Sequence, residues 1–218
     1  VFRRYIDTQN QLASSRLFSK VAVLLFSTTA IISLLVSLFA HPLVSSPIGI
    51  APGFSPLQPA LTARLLQIPQ VATLIFSLSG LLTATLQAHK HFLLPALAPI
   101  FYNLGLIFGV TLLAPKFGIY GLTFGVVIGS LLQLGIKIPG LLKYKFRFSF
   151  SIDLKDPGVR KIIQLMGPRV LTVLLIHIMF LLRDNFASRL ETGSVTALTY
   201  GYFILQVPET LIGTAIAT

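Results

Sequence analysis

Residues 175–210 read LIHIMFLLRDNFASRLETGSVTALTYGYFILQVPET. An apolar run ends in an adjacent cation and anion, Arg183 and Asp184. After a short polar break, a second apolar run is interrupted by Gln206, Pro208 and Glu209. A soluble core has little use for this arrangement, because a buried charge is costly unless it is paired. A plain membrane anchor has less. The stretch predicts two membrane-crossing helices whose polar groups look into a bundle interior or a wet cavity, not into lipid.

The rest of the chain has the same character. Of 218 residues, 54% are hydrophobic and 11% are charged, with a mean hydropathy of +0.85. Soluble domains carry about 25% charged residues, and a chain this apolar could not cover its own surface with polar groups. The net charge of +11 does not point to nucleic acid. Lys and Arg cluster between the apolar runs, where membrane topology puts them. There is no cysteine, hence no disulfide and no thiolate metal site. His89 and His91 have no carboxylate nearby in sequence to complete a metal shell. No nucleotide-binding loop, zinc-binding His pair or Ser-His-acid grouping is present. The expectation is a non-enzyme without metal or cofactor. The chain opens on Val1-Phe2-Arg3-Arg4, which resembles no cleavable signal peptide, and stops inside an apolar run at Ile216-Ala217-Thr218. It is expected to be an internal piece of a longer protein.

Six apolar stretches suffice to cross a bilayer at about 20 residues each: 20–44, 66–88, 92–114, 118–142, 161–183 and 194–218. The alternation a membrane barrel needs is absent. The predicted fold is therefore all-α, a polytopic transmembrane helical bundle with residues 1–218 as a single membrane domain. Eleven basic residues fall in segments 1–20, 89–91 and 143–161, against four on the alternate side (Arg64, Lys116, Arg183 and Arg189). That bias puts the first three segments in the cytoplasm and the loops at 45–64 and 184–193 outside. The outer connection over 41–63 holds five prolines, which exclude a continuous helix. It predicts a short re-entrant or interfacial segment. Residues 146–153, FRFSFSID, alternate aromatic and polar residues. They suit a short strand or a membrane-surface ribbon, the latter favoured by the adjoining Lys143, Lys145 and Arg147.

Several residues inside the spans call for an account. Gly121, Gly125 and Gly129 repeat every four residues, as do Gly105 and Gly109 one span earlier. Small residues at that spacing let helices approach closely, and packing within the chain is preferred to a dimerisation face. His177 is either a neutral group bonded to a neighbouring helix or a functional one. Lys137 and Arg169 either snorkel to the inner surface or form a cation pair for an anionic headgroup. Arg183 and Asp184 are adjacent in a helix, about 100° apart, and are expected not to face each other. One could snorkel to the outer surface. Otherwise one looks into a cavity while the other pairs with a neighbouring helix, structural pairing being preferred to a cavity role, with Asn185, Ser188, Thr192 and Ser194 adding hydrogen-bonding groups. Pro208 removes a backbone donor and predicts a kink or hinge, flanked by Gln206 and Glu209 as polar lining or gate.

Five stretches in order, APGF, LQAHKHFLLPALAPIFYNLGLIFG, DPGVRKIIQLMGPR, ASRLETGSVTALTY and QVPETLIGTAIAT, resemble the MurJ/MviN group of lipid II flippases. That group lies within the wider superfamily of multidrug, oligosaccharidyl-lipid and polysaccharide exporters. The resemblance implies a fourteen-helix, two-lobed transporter around a cationic cavity, of which the six spans are helices three to eight. It implies a lipid-linked anionic substrate, the peptidoglycan precursor lipid II, flipped from inner to outer leaflet of the cytoplasmic membrane. It also marks two departures. Many members carry an arginine five residues ahead of the shared proline, where this chain has Phe203. The order at the end of helix seven, acidic then basic in the family, reads Arg183-Asp184 here. On this basis Arg183 and Arg169 are candidates for the anion contact, with Asp184, Gln206 and Glu209 beside them and Pro208 as hinge. Export of another lipid-linked oligosaccharide or a drug, and a scaffold for cell-wall enzymes docked through 143–161, are the alternatives.

Overall fold

A computed structural model describes residues 11–46, 49, 52, 58–143, 156–191 and 193–217. Every regular element among them is helical: α1 (Gln11–Leu38), α2 (Ala40–Ser45), α3 (Gln58–Gln67), α4 (Pro69–Ala88), α5 (Leu93–Phe108), a π turn (Gly109–Leu113), α6 (Ala114–Phe117), α7 (Ile119–Gly135), α8 (Ile138–Lys143), α9 (Pro157–Ala187) and α10 (Ser194–Ala217). Five helical stretches are long and apolar enough to cross a membrane: Ser15–Leu38, Gln58–Ala88, Leu93–Phe117, Ile119–Leu142 and Pro157–Ala187. They correspond to the first five predicted spans, and the protein is a multi-pass helical membrane protein.

The differences have local causes. The second span begins at Gln58, earlier than the predicted 66, because Pro59 and Pro69 sit at the first turns of α3 and α4, where a missing N–H costs nothing. Pro42 likewise falls in the short α2. The centre of the 41–63 connection, and the whole 146–153 stretch, lie outside the described residues. The sixth predicted span is a helix of 24 residues, long enough at 1.5 Å per residue. Gln206, Pro208 and Glu209 interrupt its apolar sequence. The helix runs unbroken through Pro208.

The chain forms two compact units, one of residues 1–40 and 64–170, the other of 41–63 and 171–218. In the first, α7 packs against α5 and the π turn, and also against α4, which in turn packs on α1. Its core gathers Phe18, Ala22 and Leu82, ringed by Leu81, Leu134 and Leu141. The glycine ladder is the contact between α5 and α7. A Cβ on Gly125 would stand 2.8 Å from Gly109 Cα, one on Gly129 2.6 Å from the Tyr102 carbonyl, and one on Gly105 would land on Gly129. The ladder is therefore internal packing, as preferred from its spacing. Buried hydroxyls here bond their own helices: Ser19 to the Ser15 carbonyl at 2.9 Å, Thr85 to Leu81 at 2.9 Å, Ser130 to Val127 at 2.7 Å. That satisfies a polar group where no water can.

In the second unit, α10 and the latter half of α9 present broad apolar surfaces, with Leu171, Leu174, Met179, Ile204 and Leu205 all exposed. Such patches on a long apolar helix suit lipid or further helices.

Candidate functional site

Arg183 is the centre of the most organised charged cluster in the second unit. Its Nε and Nη2 donate to the same oxygen, Asp184 Oδ1, at 2.9 and 2.7 Å. The expectation that these two residues do not face each other is corrected. Their Cα–Cβ vectors diverge, but the long arginine side chain folds back across the gap. The pair is about one-third exposed, 27% and 31%. Aromatic rings frame the cation. Arg183 Cζ lies 5.0 Å from the centroid of Phe180, one turn earlier on α9, and 5.9 Å from that of Tyr202 on α10. Phe180 and Tyr202 meet edge to face, centroids 5.1 Å apart at 83°. Phe203 leans on Tyr202 at 6.4 Å.

This contact orients α10. Residues four and seven positions beyond Tyr202 share its face of the helix, and they are Gln206 and Glu209. The polar stripe Tyr202–Gln206–Glu209 thus begins where Arg183 touches α10. Gln206, Pro208 and Glu209 are exposed, and their inward placement rests on no contact among the described residues. Arg169 is exposed too. It belongs to the first unit.

A second cluster on α9 is structural. Asn185 is 5% exposed and donates from Nδ2 to the Gly49 carbonyl at 2.6 Å, while Arg189 Nη2 donates to Asn185 Oδ1 at 3.1 Å. Ser188 Oγ bonds the Asn185 carbonyl at 2.7 Å. The sequence places these polar groups on one turn, but nothing in it shows that Asn185 reaches back more than a hundred residues.

In the first unit, Lys137 does not snorkel. It is 2% exposed, and its Nζ donates to Ser79 Oγ at 2.6 Å and to the Ser79 carbonyl at 3.3 Å. His177 Nδ1 lies 2.9 Å from the carbonyl of Val173 in its own helix, not a neighbouring one. Lys20 Nζ meets Asp156 Oδ2 at 2.7 Å, a pair that sequence spacing could not reveal. Asp156 Oδ1 also caps α9, accepting from Gly158 N at 2.8 Å and Val159 N at 3.4 Å. The Lys20 hydrogen bond, then the caps, hold this carboxyl below its usual range against the opposing effect of burial. Just inside the pair, α1 and α9 line an apolar groove of about 310 Å³ that includes Leu24, Ile162 and Met166.

At the turn between α4 and α5, Lys90 adopts φ +59° and closes α4, with His91 N bonding the Leu86 carbonyl and Lys90 N that of Gln87. Lys90 is exposed and His89 and His91 are half-buried; burial lowers the His89 pKa.

The model of the lipid II flippase MurJ family matches residues 1–218. The chain belongs to that family. A lipid II flippase MurJ of Burkholderia cenocepacia is 30% identical over 73% of the chain and 32% of its own length. A probable one of Vibrio cholerae is 35% identical over 65% and 27%, and that of Rhizobium meliloti 27% identical over 100% and 42%. The chain spans about a third of the length of the curated relatives it matches.

Proposed function

We propose that the full-length protein containing these residues flips lipid II across the cytoplasmic membrane for cell-wall synthesis, as a transporter and not an enzyme. The observation that carries this reading is the family match along all 218 residues, together with relatives named as lipid II flippases. The cation–aromatic cluster at Arg183 and the stripe leading from it supply a place for the anionic headgroup. An arginine offers a planar set of donors suited to phosphate oxygens. Arg183 is the first candidate for that contact, Asp184 orients it, and Gln206 and Glu209 line the path beyond. Pro208, which leaves one backbone carbonyl of α10 without its donor, is the hinge. Arg169 is a separate candidate cation.

The test is rescue of a flippase-depleted bacterium by the full-length protein. Restored growth with accumulation of lipid II relieved is the expected result. Normal membrane abundance without rescue would remove lipid II as substrate and favour another lipid-linked oligosaccharide.

The basic bias further supports cytoplasmic placement of 143–161 and outer placement of the 45–64 loop. In intact cells a cysteine at Ser55 should react with an impermeant thiol reagent and one at Asp153 should not. The reverse pattern inverts the topology.

A further inference from the structure

Arg183 is not simply neutralised by its neighbour. Asp184 takes two of the five guanidinium N–H donors, and the pair remains about one-third exposed. Among the described residues, three donors are left for a further acceptor. Their direction depends on what fixes the guanidinium plane. A single carboxylate oxygen is one pivot point and leaves the plane free to swing. The rings of Phe180 and Tyr202, at 5.0 and 5.9 Å, supply the second constraint. Phe180 belongs to the same helix as Arg183 and moves with it. Among the described residues it is Tyr202 that ties the cation to α10, and it is the residue from which Gln206 and Glu209 continue along one face.

We propose that Tyr202 is the positioning residue of this site, holding the Arg183 guanidinium so that its remaining donors present to a pyrophosphate group beside the Tyr202–Gln206 face of α10. This rests on the anion-contact reading of Arg183 given above. The role belongs to the ring and not to the hydroxyl. A cation over an aromatic face is attracted by the ring quadrupole, most strongly for indole, then for phenol and phenyl. An aliphatic side chain of similar bulk fills the space without that attraction.

Inorganic pyrophosphate is the probe, titrated calorimetrically at low ionic strength into the full-length protein in phosphatidylcholine nanodiscs. Tyr202→Phe should bind within about twofold of the unaltered protein, and Tyr202→Trp equally or more tightly. Tyr202→Leu should bind about fivefold more weakly with only a small fall in melting temperature. Arg183→Gln should lose binding by tenfold or more. Binding by Tyr202→Leu equal to the unaltered protein, with Arg183→Gln defective, overturns the role of Tyr202 and leaves the anion site standing. If Tyr202→Leu proves unstable, the Trp variant decides: weaker binding than Tyr202→Phe overturns the ring's role. Wild-type binding by Arg183→Gln, or no pyrophosphate binding by a protein that still rescues flippase-depleted cells, overturns the site while sparing the flippase reading. The titration is repeated with phosphatidylglycerol in the nanodiscs. Retained binding supports a pyrophosphate ligand, and loss would reassign the site to ordinary anionic headgroups.

Discussion

Lys137 and Arg183 are both cations within apolar spans, and the chain treats them in opposite ways. Lys137 is sealed in the first unit at 2% exposure, with both acceptors supplied by Ser79 on a neighbouring helix. It stands just past the C-terminal end of α7, where the helix dipole favours positive charge. Arg183 in the second unit keeps its partner on the adjacent residue, stacks against rings, and stays partly open. A lysine ammonium, with three donors, needs fewer oxygens and can be closed over. A guanidinium with five donors is hard to exhaust, so it remains able to bind something else. The contrast is between a charge used to join helices and a charge kept available.

The sharpest way to break the comparison is to ask whether the first unit is as tightly built as this requires. Gly125→Leu drives a side chain into the Gly109 backbone, 2.8 Å from the position of its Cβ. It should cost about 3 kcal/mol or more, read as lost melting temperature and membrane abundance. Gly201→Leu, on α10 with nothing within 4 Å, should be neutral to slightly stabilising by helix propensity. Equal damage at both sites would mean that the two units do not differ in packing.

Next in size is the Lys137 pin. Ser79→Ala removes its 2.6 Å acceptor and leaves the ammonium on a single carbonyl at 3.3 Å. The expected loss is about 1–3 kcal/mol. Adding Lys137→Met should recover part of it, because an apolar side chain of similar length needs no acceptor. A double variant no better than Ser79→Ala would show that the ammonium is satisfied some other way.

Asp156 tests a smaller effect in the same unit. Asp156→Asn keeps an N-cap but loses the ion pair with Lys20, and Asp156→Ala loses both. The expected costs are up to about 1 kcal/mol for Asn and roughly 1–2 kcal/mol for Ala. The carboxyl has its pKa lowered in the folded state, chiefly by the Lys20 hydrogen bond. The unfolded chain therefore binds the proton more readily. The stabilisation is full above the unfolded carboxylate pKa of about 4 and is lost as pH falls through the folded value. Melting curves of the unaltered protein and Asp156→Asn should converge over that acid window and stay apart above it.

How much of this was legible beforehand follows from what each feature depends on. The spans are a one-dimensional property, since a long apolar run has to be helical in lipid, and five emerged close to where they were predicted. The glycine ladder was legible for the same reason: its spacing states which face must come close. Lys137 was misread because its depth depends on Ser79, 58 positions earlier, and no local pattern carries that distance. The Lys20–Asp156 pair, 136 positions apart, was hidden in the same way. Arg183 and Asp184 were singled out as a pair but given the wrong geometry, because helical position fixes where a side chain starts and not where a flexible one ends. Tyr202 carries no signal in the sequence, and its ring contact with Arg183 needed the fold.

The smallest expected change in stability is at Arg183 itself, and that is what gives it weight. A partly exposed ion pair contributes about 0–1 kcal/mol, and a cation–aromatic contact at such a site about 0.5–1 kcal/mol. Arg183→Gln should therefore shift the melting temperature of the full-length protein far less than Ser79→Ala, and membrane abundance should be unchanged. Its effect on rescue of a flippase-depleted strain should nevertheless be severe, and Arg183→Lys should retain part of it, because charge survives while the planar set of donors does not. A purely structural pair predicts another pattern: Arg183→Gln would lower abundance, and adding Asp184→Asn would restore both abundance and rescue by removing the stranded carboxylate. Loss of rescue at normal abundance, uncorrected by the second change, would place Arg183 with the charges kept available. Restoration by the second change would place it with Lys137.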